Sequence, residues 1–130
     1  MVVQKLNTSE KKFHRLTRDN YPRIVALLKK LGAARRFILL KRALHALHPT
    51  SLALLWDSFD ETQREIILSQ LASEYAAEFL TELDSDERTA IFRSKDTAWI
   101  FERLEELVTD DTANILRELN VRDTNFILRR

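Results

Sequence analysis

The fold is decided by residues 55–83, which read LWDSFDETQREIILSQLASEYAAEFLTEL. In this stretch an apolar pair, followed three residues later by a third apolar residue, returns every twelve residues. The pattern extends over residues 43–119 and, at its most regular position, on to Leu128. That position holds Leu44, Trp56, Leu68, Leu80, Phe92, Leu104, Leu116 and Leu128. Apolar residues at this spacing share one face of a helix, so each unit predicts a short amphipathic helix.

One continuous helix does not fit this repeat, because twelve residues at about 100° each leave the apolar stripe roughly 120° out of phase. The chain must turn between units, and residues that favour helix N-caps stand at those points: Asp60, Asp84, Asp96, Thr109 and Asn120. Asp60 with Gln63, and Asp84 with Glu87, also have capping-box spacing. Helices this short need packing against neighbours. We predict an all-α fold, a solenoid-like superhelix with a roughly 12-residue repeat and a handedness left open.

The composition supports an all-helical chain and excludes several kinds of site. The 130 residues include one Gly, two Pro and no Cys. Glycine-rich phosphate loops, disulfides and thiolate metal sites are therefore excluded. Carboxylates are abundant, but no spacing suggests a hydrolase pair, and His14, His45 and His48 do not form a zinc motif. We predict that the domain is not an enzyme.

Charge divides the chain into two parts. Residues 1–45 hold twelve Lys or Arg and two acidic residues, whereas residues 46–130 hold nine Lys or Arg and eighteen acidic residues. The net charges are therefore +10 and −9. We predict basic N-terminal helices over residues 1–46 and an acidic superhelix over residues 47–130, packed together as one domain.

Three helices are predicted in the basic part, over residues 8–19, 22–31 and 33–46, with Gly32 ending the second. In the third, Phe37, Leu40, Leu44 and Leu47 are predicted to face the core. Its other face holds Arg35, Arg36, Lys41 and Arg42. Such a face is either the solvated side of a packed helix or a contact for an anionic membrane or nucleic acid through residues 5–42. We favour the solvated side, because Phe13, Tyr21 and Phe37 fit core or cap positions and leave no aromatic residues to stack on bases.

The repeat units themselves are predicted at residues 48–59, 60–70, 73–83, 85–94, 96–107, 109–119 and 122–130. Trp56 and Trp99 are predicted to be core anchors. The last unit stops without a polar cap, which suggests that a further domain follows it.

Three segments resemble a known family. They are LHPTSLALLW at residues 47–56, AAEFL at residues 76–80 and LVTDD at residues 107–111. In this order and spacing they resemble the intracellular N-terminal domain of MgtE-type magnesium transporters, over about residues 40–125. The resemblance implies a superhelix of short helices, in agreement with the repeat.

The resemblance also implies a function. In that family the domain precedes a pair of CBS domains and a five-helix transmembrane channel, and the parent protein is a homodimer. Its acidic residues face acidic residues of the CBS domains, and bound Mg²⁺ holds the two together and favours the closed channel. The resemblance therefore implies a cytoplasmic regulatory domain of an inner-membrane transporter, with its partners on the parent chain. We expect neither nucleic-acid binding nor direct membrane insertion, and no segment of this chain is apolar over a length that spans a bilayer.

The positions that match the metal-facing residues of that family are Glu78, Asp110 and Asn114, with Asp111 as a substitute. Asn114 stands where the family can have Asp, so this site is expected to bind Mg²⁺ weakly. Other interpretations remain open: Glu78 is a solubilising surface residue, or Asp110 and Asp111 complement a helix dipole. Residues Glu82, Asp84, Asp86 and Glu87 form a second acidic cluster without specific spacing.

One functional alternative belongs to a different class. Short-helix superhelices also resemble the middle domains of flagellar rotor switch proteins, which suggests a protein–protein interaction module. The two hypotheses differ in whether the domain responds to magnesium.

Overall fold

The computed structural model describes residues 20–106 and 114–115. Residues 20–106 form α-helices and one 3₁₀ helix, Trp56–Ser58, and contain no strand. The α-helices are α1 (Tyr21–Ala33), α2 (Phe37–Ala46), α3 (Pro49–Leu55), α4 (Glu61–Gln70), α5 (Ser73–Glu82), α6 (Ser85–Ser94) and α7 (Thr97–Leu104). The prediction of an all-α fold is confirmed, and the superhelical winding stays a prediction. None of the described helices combines the length and apolarity needed to cross a membrane.

The helices group into two compact units that divide between Leu71 and Ala72. In the first unit, α1 packs against α2, and both pack against α4. In the second unit, α5 packs against α7. The predicted organisation, with its boundary between residues 46 and 47, stays a prediction.

The twelve-residue repeat supplies the core of both units. Its most regular position is buried wherever the structure describes it, and no side chain there is more than 3% exposed: Leu44, Trp56, Leu68, Leu80, Phe92 and Leu104. The position three residues later is also buried at Leu47, Phe59, Leu71 and Leu83. Burying one such side chain contributes about 2 kcal/mol. The predicted register of the repeat is therefore confirmed in the described units.

The predicted caps begin three of the helices. The backbone N–H of Gln63 donates to Asp60 Oδ1 over 2.8 Å, and the Asp60 N–H donates to Gln63 Oε1 over 2.9 Å. Asp84 and Glu87 form the same capping box at the start of α6. Asp96 accepts from the N–H of Trp99 at the start of α7. Thr109 and Asn120 lie outside the described residues.

Two arginines, 24 residues apart, make a contact that the sequence analysis missed. Each follows a capping box directly, and each donates to a carbonyl eight residues earlier in the chain. Arg64 donates from Nε and Nη2 to the Trp56 carbonyl over 3.3 and 3.0 Å. Arg88 donates from Nη1 to the Leu80 carbonyl over 3.2 Å and also to the Leu83 carbonyl. These arginines donate to carbonyls at or near the C-terminal ends of the preceding helical segments, and the Trp56 carbonyl also accepts from the Phe59 N–H.

The junction of α1 and α2 differs from the prediction. Gly32 lies inside α1, and α2 begins at Phe37 rather than at residue 33. The left-handed position that glycine was expected to fill is taken by Arg35, with φ 57°. The N–H of Arg36 donates to the Leu31 carbonyl and that of Arg35 to the Gly32 carbonyl, so the helix ends in a Schellman motif. Gly32 is instead a buried residue of α1 that faces α4, where a Cβ would lie 3.4 Å from Ile66 Cγ2, an ordinary van der Waals distance.

Phe37 was predicted to face the core, but this prediction is wrong, because the residue is 39% exposed. Leu40 and Leu44 are fully buried, whereas Phe37 belongs to the first turn of α2. Burial of this helix begins one turn after its start, which leaves Phe37 at the surface.

Trp56 is buried as predicted, but Trp99 is only partly buried. Near Trp99, two positions of the twelve-residue repeat that hold apolar residues in most other units are occupied by Lys95 and Arg103. The Lys95 Nζ lies 5.4 Å and the Arg103 Cζ 4.3 Å from the centre of the Trp99 ring. Cation–π contacts therefore take the place of apolar packing around this tryptophan.

Candidate metal-facing surface

Helix α5 places Glu78 on its exposed side. The opposite side of this helix is fully buried at Ala76, Ala77, Phe79 and Leu80, each with 0% exposure. This packing fixes the rotation of α5, and the carboxylate of Glu78 consequently faces solvent. Within the described part of the chain, no ion pair engages Glu78. The carboxylate oxygens of Glu78 are therefore exposed to solvent, where a cation in solution can reach them.

Two more exposed glutamates lie one helical turn on either side of Glu78. Glu74, Glu78 and Glu82 follow one another at four-residue spacing, and all three are exposed. Residues four apart are neighbours on a helix surface, so their like charges repel one another and attract cations. We call these three residues the acidic stripe. Glu74 was missed in the sequence analysis, although the four-residue spacing from Glu78 to Glu82 was a signal that could have found it.

The pKa of the Tyr75 hydroxyl is affected by its burial and by the charge of Glu78. Burial raises the pKa of the Tyr75 hydroxyl well above its ordinary value, and the negative charge of Glu78 raises it further. Both effects disfavour the phenolate, so Tyr75 stays neutral at physiological pH.

Part of the predicted second cluster has a structural role. Asp84 and Glu87 accept backbone hydrogen bonds in the capping box of α6. One carboxylate oxygen of each is thus bonded at the helix start, whereas Glu82 belongs to the acidic stripe. The second cluster therefore combines helix-capping residues with a residue of the stripe.

Of the remaining predicted site residues, the structure describes only Asn114. Asn114 is exposed, and Asp110 and Asp111 lie outside the described residues. Whether Glu78, Asp110, Asp111 and Asn114 come together therefore stays a prediction. In residues 20–106 and 114–115, no group of three or more His, Asp or Glu residues is arranged to hold a metal ion.

The acidic stripe lies in a region that matches a known family. A family model described as the MgtE intracellular N domain matches residues 47–130. The chain belongs to the MgtE intracellular N domain family. The resemblance of residues 47–56, 76–80 and 107–111 to this family is confirmed. No curated protein and no solved structure matches the chain.

The match to the MgtE N domain begins directly before α3 and includes α5 with its acidic stripe. Helices α1 and α2 lie outside the matched residues. The family is described as an intracellular domain, in agreement with the predicted placement. The inner-membrane parent protein stays a prediction.

Proposed function

We propose that this MgtE N domain is the cytosolic regulatory domain of a magnesium transporter, where it senses Mg²⁺ and gates transport. Two findings support the proposal: the family match over residues 47–130, and the exposed carboxylates of the acidic stripe within it. The observation that carries it is that Glu78 is exposed and is engaged in no ion pair within the described residues.

The available side chains fit the coordination chemistry of magnesium. Mg²⁺ prefers oxygen ligands, keeps several of its waters and is often held by only one or two carboxylates. Glu78 would supply one carboxylate, Asp110 or Asp111 another, and Asn114 a neutral amide oxygen. A site of this kind binds weakly, and a dissociation constant near 1 mM corresponds to about 4 kcal/mol.

Weak sites suit a switch that acts between two surfaces. The partners proposed here are the CBS domains and the transmembrane domain of the same parent chain, with the parent as a homodimer. Acidic surfaces repel each other when no cation is bound, and a dication between them turns repulsion into attraction. A nearly complete switch needs about 5.5 kcal/mol of differential binding, so several such sites must act together.

A titration of the 130-residue chain with MgCl₂, followed by amide NMR, tests the proposal. We expect saturable shifts around Glu78 and around residues 110–114, at millimolar concentrations. Glu78→Gln removes one ligand charge and should weaken the apparent affinity about fivefold, because one charge contributes roughly 1 kcal/mol at a surface.

Glu61→Gln is the matched control, since Glu61 is an exposed glutamate in the first turn of α4, in the other compact unit. It should leave the affinity unchanged, and NaCl at equal ionic strength should not reproduce the shifts. Small, uniform and unsaturated shifts at all acidic residues would contradict the proposal. A protein–protein interaction module without magnesium sensing predicts that result.

A further inference from the structure

Helices α1 and α2 form a strongly basic region outside the residues matched by the family model. Residues 20–45 contain seven Lys or Arg and no acidic residue. Six of these cations are exposed: Arg23, Lys30, Arg35, Arg36, Lys41 and Arg42. The described surface therefore carries a dense positive charge that no acidic residue of the same two helices offsets.

The start of α2 adds exposed apolar side chains to this charge. Phe37 and Leu39 are each 39% exposed, and Ile38 is 74% exposed. With Arg35 and Arg36 they line an open, largely apolar hollow. Three consecutive large apolar residues at the surface lose the favourable free energy of burial, which indicates that something covers them.

Basic side chains lie beside the exposed Ile38 on α2. Lys41 and Arg42 follow Ile38 by three and four residues, so they lie beside it on the outer surface of α2. The left-handed turn at Arg35 brings two further cations directly before Phe37. We call Arg35, Arg36, Phe37, Ile38, Leu39, Lys41 and Arg42 the apolar-basic patch.

We propose that the apolar-basic patch binds the headgroup layer of an anionic lipid bilayer. Phe37, Ile38 and Leu39 enter the boundary between headgroups and acyl chains, and the surrounding cations contact lipid phosphates. Charge complementarity favours this occupant, because Lys and Arg attract an anionic leaflet while exposed Phe, Ile and Leu gain from the apolar layer beneath. This contact departs from the expectation of no membrane insertion in these side chains alone, and no described helix is long and apolar enough to cross the bilayer.

Nucleic acid fits the same patch less well. Nucleic acids also attract Lys and Arg, but bases are bound by stacking on aromatic or guanidinium planes. Phe37 and the two arginines before it offer such planes. Ile38, the most exposed of the described large apolar side chains, and Leu39 offer none, and they gain free energy only from an apolar environment. The inference goes beyond the proposed magnesium function, and neither depends on the other.

A fluorescent label tests the site of contact. The sequence contains no cysteine, so Ile38→Cys accepts one polarity-sensitive fluorophore in the full chain. Vesicles of phosphatidylcholine with about one third phosphatidylglycerol should shift its emission to shorter wavelength, and pure phosphatidylcholine vesicles should not. Leu54→Cys is the matched control, because Leu54 is 65% exposed but has no Lys or Arg between His48 and Asp60. Its emission should not change.

Co-sedimentation with the same vesicles tests the charge. Arg36→Gln should weaken binding about fivefold, since one cation near an anionic surface is worth about 1 kcal/mol. Arg93→Gln removes an exposed arginine of α6 and should leave vesicle binding unchanged. Glu78→Gln should also leave it unchanged, which separates this inference from the magnesium proposal.

Several results would overturn the proposal. One is an unchanged emission at position 38 with anionic vesicles, and another is an equal change at position 54. Duplex DNA that displaces the protein from vesicles while shifting the label at position 38 would assign the patch to nucleic acid. Self-association that Ile38→Ser abolishes in the absence of lipid would assign it to a second copy of the chain.

Discussion

Helices α2 and α5 have equal length but expose different kinds of side chain, apolar and basic on α2 and acidic on α5. Each has ten residues, Phe37–Ala46 and Ser73–Glu82. Helix α5 buries four apolar residues completely and exposes three glutamates. Helix α2 buries only Leu40 and Leu44, and it exposes three apolar side chains together with Lys41 and Arg42.

The difference teaches that the two helices suit different partners. The apolar residues Ala76, Ala77, Phe79 and Leu80 of α5 are buried, so the exposed side chains of this helix are the carboxylates of the acidic stripe, a residue type that binds cations. The apolar residues of α2 are not all satisfied within the described part of the chain, so its outer face offers both apolar area and positive charge. Such a combination favours binding to a lipid bilayer with anionic headgroups, because its headgroup layer is negatively charged and its interior is apolar.

The largest expected difference in stability comes from shortening one apolar side chain in each of the two helices. Phe79→Ala removes a fully buried ring from α5 and should lower the free energy of unfolding by about 3–5 kcal/mol. Ile38→Ala shortens a side chain of α2 that is 74% exposed and should change the stability by less than about 0.5 kcal/mol. Urea unfolding followed by circular dichroism measures both. A loss at Ile38 close to that at Phe79 would show that the start of α2 is covered within the folded chain.

The C-terminal end of α5 gives the next largest effect. Arg88→Ala removes the side chain that donates to the Leu80 and Leu83 carbonyls. We expect a loss of about 2 kcal/mol, because hydrogen bonds to charged groups are worth about 1.5–3 kcal/mol. Arg23→Ala, at an exposed position in the first turn of α1, should cost less than about 0.5 kcal/mol in the same measurement. Equal losses would mean that the carbonyl contacts of Arg88 do not matter.

The smallest effect concerns the turn before α2. Arg35→Gly should raise the free energy of unfolding by up to about 1 kcal/mol, since glycine adopts the left-handed conformation without the Cβ conflict. Arg35→Ala removes the same charge but keeps the Cβ, so it should give no gain. Thermal unfolding of both variants checks this, and a similar gain in Arg35→Ala would assign the effect to charge.

Much of the fold follows from local rules. The twelve-residue repeat predicted which residues are buried from Leu44 to Leu104, because helical periodicity alone sets which side chains share a face. The caps at Asp60, Asp84 and Asp96 were predictable because each bonds only to its own helix start. Glu78 was predicted as a site residue from the family resemblance, and both this role and its grouping with Asp110, Asp111 and Asn114 stay predictions.

Contacts between distant residues were not predictable in this way. Arg64 and Arg88 reach carbonyls eight residues away, and no periodic pattern marks such a contact. Gly32 was interpreted as a helix end because glycine favours left-handed turns, whereas it lies buried inside α1 and faces Ile66 of α4. Trp99 was predicted to be a core residue because it is a large aromatic residue in a repeat unit, but it is only partly buried, and the cations of Lys95 and Arg103 lie over its ring.

The amino-acid sequence by itself determined the helical repeat, the caps and the separation of basic from acidic charge. These depend on the geometry of one helix turn or on composition, and they need no knowledge of neighbours. Only the tertiary structure decided that Phe37 and Ile38 lie at the surface and that α5 turns the acidic stripe outward. Burial is a property of what packs against a side chain, and an apolar residue has the same periodicity whether or not a neighbouring helix covers it.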